Sequence, residues 1–267
     1  MEIGQQPMMQ SQEINKLEKS ISLLIMIGSK ELKLLLRNSI DRKIIDQSSS
    51  IYSEELKINE ILTDLKLKLN EFNLTNVVKV TLVLNNKLSV LVPIDFFQED
   101  NCLNYLKFNS RLLKNDSASS DYIEELETHN VYIAFGNINN YLVEKFGSFE
   151  YFHYTTVLLK KLYSETSNDK KVKFYVNINK SFLNIIVFKG RELNYSNTFE
   201  YESKDDILYF ILFVIEQNKL INHETKMKLI GDEKIINQHY SYLLKFIKNI
   251  DLKDSAGYTI ENIVSWE

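Results

Sequence analysis

Twice along the chain, apolar residues recur in short runs at every second position, then switch to a helical stripe, then return to strand. In the first copy, Ile21, Leu23, Ile25 and Ile27 form one run and Leu32, Leu34 and Leu36 a second. Gly28-Ser29-Lys30 parts them, which predicts a hairpin. A third strand is expected at 43–46, then a helix opening near Ser53 with Glu54 and Glu55 at its positive end. Ile58, Ile61, Leu62, Leu65, Leu69 and Phe72 lie on one stripe of that helix. Strands at 79–84 and 88–92, a strand at 131–135, a helix at 138–146, a strand at 149–153 and a helix carrying Val157, Leu158 and Leu162 complete the copy.

The second copy opens on Val172, Phe174, Val176 and Ile178, continues through 182–188, and turns at Lys189-Gly190 into Leu193, Tyr195 and Phe199. Ser203 with Asp206 is a capping box for a helix to about Gln217. Its run from Ile207 to Ile215 is apolar throughout and predicts a helix buried on all sides. A strand at 227–230, a helix with Ile236, Tyr240, Leu243 and Ile247, and a strand at 249–252 follow. Three meandering strands followed by alternating helices and strands make an α/β fold with mixed sheets, not a doubly wound parallel one. The expected organisation is a tail at 1–18, a first subdomain at 19–163, a second at 172–252 and a tail at 253–267. The stretch 164–171, which has no apolar residue, joins the two subdomains. The first carries an insertion near 88–121, with a capping box at Asp95 and Gln98, a helix to about Leu106 and a loop at 114–120.

Charge and cysteine usage narrow the function classes. Lys plus Arg number 32 against 36 Asp plus Glu, a net charge of −4, which lacks the basic footprint of a nucleic-acid binder. One cysteine, Cys102, excludes a disulfide framework and a cysteine-rich metal site, and fits a reducing compartment. No basic start with an apolar core opens the chain, and the Ile207–Ile215 run is about half of the roughly 20 residues a membrane span needs. The expectation is a cytoplasmic protein that meets neither membrane nor nucleic acid.

Four segments taken as a set carry a resemblance: Val92-Pro93-Ile94-Asp95-Phe96-Phe97, Tyr105-Leu106-Lys107-Phe108-Asn109, Asn197-Thr198-Phe199-Glu200-Tyr201 and the stretch from Leu208 to Gln217. The chain resembles a bacterial family of unknown function whose fold is that of the actin-like ATPases, a duplicated ribonuclease H-like fold of two subdomains. It is similar in this to the cytoplasmic actin-like protein of type IV pilus assembly. The resemblance implies no activity, substrate or catalytic residue.

Actin-like ATPases hold phosphates on two hairpin turns through closely approached backbone N–H groups, with carboxylates nearby for hydrated Mg²⁺. The corresponding positions here are Gly28, Ser29 and Lys30 in the first half and Asn179, Lys180 and Ser181 in the second. Gly231 and Asp232 stand on the adenosine side. Met26 and Ile27 occupy the place where an acid is wanted, and the second turn has neither Gly nor carboxylate. The plainer account makes Gly28 a hairpin residue at positive φ, Gly231 a strand-to-helix turn, Asp232 a helix cap and both lysines solvated hairpin tips. His129, His153, His223 and His239 show no ligand spacing with one another or with Cys102. His153, at a strand end, reads as a structural histidine, and Glu124, Glu125 and Glu127 as a solvated face. Phe146, Phe149, Tyr151, Phe152 and Tyr154 cluster with only Lys145 close by and Lys160 and Lys161 further on, and read as core around a strand with an exposed edge for a partner. No catalytic residue, cofactor or metal is assigned. The chain is expected to be a scaffold or regulatory protein with a protein partner and degenerate phosphate turns. The alternatives are an ATP-binding protein or slow ATPase that takes ATP with Mg²⁺ in the cleft, and a small-molecule sensor using the same cleft.

Overall fold

The computed structural model describes residues 20–28, 30–107, 112, 117–169, 171–180, 182–220 and 225–264. In chain order the first half contains β1 (Ile21–Gly28), β2 (Glu31–Asn38), β3 (Ile44–Ile51), α1 (Ile58–Glu71) and β4 (Val77–Asn85). Then come β5 (Ser89–Pro93), α2 (Cys102–Leu106), β6 (Ser117–Ile123), β7 (Thr128–Ala134), α3 (Gly136–Phe146), β8 (Glu150–His153) and α4 (Tyr154–Ser164). The second half contains β9 (Val172–Ile178), β10 (Phe182–Lys189), β11 (Glu192–Glu200), α5 (Lys204–Gln217), β12 (Met227–Gly231), α6 (Glu233–Leu243), β13 (Ile250–Asp251) and α7 (Ile260–Ile263).

Two five-stranded sheets repeat one order, β3-β2-β1-β4-β8 and β11-β10-β9-β12-β13. In each, the meander is antiparallel and the two later strands are parallel to its first strand. Helical crossovers supply the parallel connections, as the geometry of such pairs requires. The hairpin register is the one the alternation predicts, with Ile25 opposite Leu34 and Ile27 opposite Leu32. A slip by one residue would exchange the two buried faces of β1, sending Leu23, Ile25 and Ile27 into the middle layer in place of Leu24 and Met26.

The sheets stack as layers. Leu65, Leu69, Ile138 and Leu142 of α1 and α3 cover the outer face of the first sheet. Ile207, Ile211, Val214 and Ile236 of α5 and α6 cover the outer face of the second. Between the sheets lies a shared core, with Leu24, Met26 and Val83 on one side and Tyr175, Ile186 and Phe188 on the other. Helix α4 fills that middle layer. It is therefore α4, with Tyr154 to Leu159 and Leu162 buried, and not the helix of the run Ile207–Ile215, that is the most buried helix. Helix α5 is an outer helix whose Tyr209 is 61% exposed and Phe213 37% exposed, while Phe210 is half-buried and stacked on Phe199.

Other expectations shift. Helix α1 begins at Ile58, where Glu60 accepts the Lys57 N–H at 2.8 Å, rather than near Ser53. The capping box at Asp95 and Gln98 does not form. Two short 3-10 turns, Ile94–Phe96 and Glu99–Asn101, precede α2 instead, tied by the Tyr105 hydroxyl to Phe96 O and Gln98 N. Much of the expected loop at 114–120 is strand β6, paired with β7 in a separate three-stranded sheet with β5; 114–116 lie outside the described residues. The tail expected at 1–18 lies outside the described residues as well. The other expected tail, 253–267, is folded as far as it is described. A 3-10 turn at Ser255–Tyr258 leads into α7, and Tyr258, Ile260, Ile263 and Val264 are buried in the shared core. These apolar side chains occupy the middle layer beside α4, and burying them outweighs the polar composition around them.

Candidate functional site

The two hairpin turns face each other across the middle layer. Gly28 ends β1, and its backbone is not left-handed, contrary to the expectation of positive φ. A Cβ there would come within 3.0 Å of Glu31 Cγ and 3.3 Å of Asn85 O, so the missing side chain lets the turn close over Glu31. In the second turn the Asn179 N–H donates to Phe182 O at 2.9 Å and the Asn179 carbonyl accepts from the Tyr201 hydroxyl. Ser29 and Ser181 lie outside the described residues.

Lys180 reaches across to Glu31, Nζ to Oε2 at 3.1 Å. Asn85 Nδ2 points to the other Glu31 oxygen at 3.4 Å. Lys180 is therefore engaged by the chain itself and is not a solvated hairpin tip. The amides near the second turn are also engaged. Asn177 and Asn179 both donate to Asn184 Oδ1, at 3.0 and 3.2 Å, and Asn184 donates to Thr198 at 2.8 Å. These bonds form a ladder across β9, β10 and β11.

Gly231 takes a left-handed φ of 117°, and a Cβ on it would lie 2.7 Å from Asn177 Oδ1. The space a side chain would need is filled by that asparagine. Asp232 caps α6, accepting from Lys234 N at 2.8 Å. Tyr154 stands between the halves, its hydroxyl 3.3 Å from Asn177 Nδ2 and 3.4 Å from Tyr258 O. Burial pushes its phenol pKa up.

The segment 255–264 closes the remaining side. Glu261 pairs with Lys33, and the Glu261 carbonyl accepts from Arg37 Nη2 at 3.0 Å. Burial raises the Glu261 carboxyl, but the hydrogen bond from Lys33 and its charge hold it net below the usual range. Tyr258 donates to Glu165 and accepts from Lys228 at 2.5 Å.

Among the described residues a cavity of about 90 Å³ lies between the halves, bounded by Glu31, Asn85, Tyr154, Asn179, Gly231 and Glu261. Lys180 and Asp232 also border it, while Gly28 and Lys30 border a void of about 10 Å³ beside Lys180. The described candidates thus converge on one place. Glu31, Lys33, Asn85 and Glu261 belong to the same place and were not singled out by sequence reasoning, and Tyr154 was read only as core. Two signals for them were present: Glu31 directly follows the first turn, and Asn85-Asn86 interrupts an apolar run at the end of β4.

The remaining candidates serve structure. His153 is fully buried and caps α4, with Nε2 3.0 Å from Asn86 O and Nδ1 accepting from Thr155 N at 3.2 Å. Burial lowers its pKa to about 4. His129 stacks on Phe97 and His239 meets Tyr201 edge-on, while His223 lies outside the described residues. Cys102 is buried in α2. Among the described residues no group of three or more His, Cys, Asp or Glu is placed to hold a metal ion. No described helix is long and apolar enough to cross a membrane.

Residues 10–250 match the model of a family described as Protein of unknown function (DUF3822). The chain belongs to this family. A Bacteroides thetaiotaomicron protein with actin-like ATPase fold and unknown function superposes with a TM-score of 0.73 at 18% identity, covering 87% of this chain and 90% of that one. The PilM–PilN type IV pilus biogenesis complex gives 0.55 at 11% identity, covering 89% of each chain. The ethanolamine utilization protein EutJ from Carboxydothermus hydrogenoformans gives 0.50 at 10% identity, covering 95% of this chain and 96% of that one. No curated protein sequence matches. The family member described here has the actin-like ATPase fold, duplicated in two subdomains.

Proposed function

We propose that this family member is a non-catalytic scaffold or regulatory protein of the cytoplasm that works by presenting surfaces to a protein partner. The observation that carries this reading is the Lys180–Glu31 pair, which ties the two phosphate-type turns to each other. A bound phosphate would have to compete with a carboxylate already seated on the only described lysine of the second turn. Space argues the same way, since about 90 Å³ is far below the roughly 300 Å³ at which ligand pockets begin. So does chemistry. Among the described residues, the buried unpartnered atoms here include the acceptors Asn85 Oδ1 and Asn177 Oδ1, whereas a nucleotide phosphate needs donors. ATP with Mg²⁺ therefore fits these residues poorly. One neighbour of the same fold is a complex between two proteins, which supports a protein partner for this chain.

Calorimetry with ATP and Mg²⁺ on the purified protein tests the reading. The expected result is no binding tighter than about 100 μM, equivalent to roughly 5.5 kcal/mol. A tighter, saturable isotherm would replace the scaffold with an ATP-binding protein.

A further inference from the structure

A larger cavity lies away from the cleft, on the far side of α4. Its volume is about 460 Å³, inside the range of small-molecule pockets. Phe152 of β8, Val157 of α4, and Ile263 and Val264 at the end of α7 make it apolar. Helix α4 supplies Thr156, Val157, Lys160 and Lys161 to the lining, two pairs one turn apart on a single helix face.

The polar groups around it are unequally engaged. The Thr156 hydroxyl is fully used, donating to Asp121 at 2.6 Å and accepting from Asn130 at 2.9 Å. Lys79 pairs with Glu150 at 3.2 Å and Lys161 with Glu165 at 3.1 Å. Glu125 is the one other carboxylate on the rim, and it is exposed. Lys160 makes no ion pair or hydrogen bond among the described residues; the buried Asp121 feels its charge from a distance, and its place on α4 puts it over the apolar floor. An apolar chamber with one ammonium outside any ion pair at its mouth matches a monoanion with an apolar body. A phosphate dianion would want several converging donors, and an amphipathic cation would meet like charge.

We propose that this cavity binds a small amphipathic carboxylate, with its apolar body against Phe152, Val157, Ile263 and Val264 and its carboxylate on Lys160. The occupant would also touch the segment that closes the cleft, because α7 lines the cleft at Ile260 and Glu261 and Ile263 lines the cavity.

Decanoate, titrated below its micellar concentration into the full chain by calorimetry, tests this directly. Decylamine and the variants Lys160→Gln and Val157→Phe serve as comparisons. The expectation is saturable one-to-one binding of decanoate, at least about tenfold weaker in Lys160→Gln, with decylamine silent. Val157→Phe, which fills the chamber, should weaken decanoate with the circular dichroism unchanged. Lys160 is exposed, so its variant folds and decides the matter even if Val157→Phe does not. An absence of saturable binding overturns the proposal. So does equal affinity for decanoate and decylamine, or an isotherm that Lys160→Gln leaves unmoved, since either marks an adventitious additive only.

Discussion

Helix α4 and the segment 255–264 occupy equivalent places in a duplicated order, each following the last strand of its sheet. They meet in the same middle layer, yet they are built differently. The helix runs through Tyr154–Ser164 with Leu158, Leu159 and Leu162 buried and a histidine cap at its start. Its counterpart is a 3-10 turn and the single turn Ile260–Ile263. A turn that short has no stability of its own, because nucleation costs more than one turn returns. It stays folded because Tyr258, Ile260 and Val264 have a prepared surface to land on. In a duplicated fold, then, one of two equivalent positions can be filled by a segment that owes its folding to the surface it packs on.

The sharpest way to break this contrast is inside α4. Leu158 is fully buried between both sheets, so Leu158→Ala should cost about 4 kcal/mol in equilibrium unfolding. A loss under about 1 kcal/mol would mean that the two halves do not share that core.

Acid attacks the same helix through its cap. The folded His153 imidazole takes its proton only near pH 4, against an ordinary value of 6.5. The unfolded chain therefore binds the extra proton first, and stability falls as pH drops through that window. The contribution is complete above pH 6.5 and is lost by about pH 4, roughly 3 kcal/mol in all. Asp121, which accepts the His153 N–H at 2.8 Å, is pushed up by burial and has the opposite sign. Comparing the slope of stability against pH in the wild type and in His153→Gln isolates the imidazole. A slope that survives the substitution would assign the effect elsewhere.

The smallest effect belongs to the counterpart. Ile260→Ala should cost about 2 kcal/mol, the low end for such a change, because a single turn can settle into the space it leaves. A loss larger than that of Leu158→Ala, measured in the same unfolding experiment, would invert the comparison.

The order of strands and helices was legible because alternation and stripe are local and long enough to read. Ile25 opposite Leu34 and the Ser203–Asp206 cap needed only neighbours in sequence. Strand β6 was not legible, since Ser117-Ala118-Ser119-Ser120 has no strand-forming side chains and takes its conformation from β7. The all-apolar stretch of α5 misled for a related reason. Tyr209 and Phe213 satisfy a hydropathy pattern while pointing to solvent, and no pattern records which layer a helix joins. At the cleft, the turns themselves were readable, but their closure was not. Lys180 meets Glu31 and Lys33 meets Glu261 only because two distant hairpins and the segment 255–264 are brought together by the fold.

Lys33 and Glu261 stand 228 residues apart. Drawing the ends of a loop that long together costs roughly 5 kcal/mol of chain entropy, more than a partly buried ion pair returns. The contact cannot recruit its own partners, so it forms only on a scaffold whose sheets already stand. During refolding it is a late event, after the hairpins have zipped and the parallel strands have been recruited. During opening it is expected to part early, so the first breathing motion is expected at the segment 255–264 and not in the packed core beneath it.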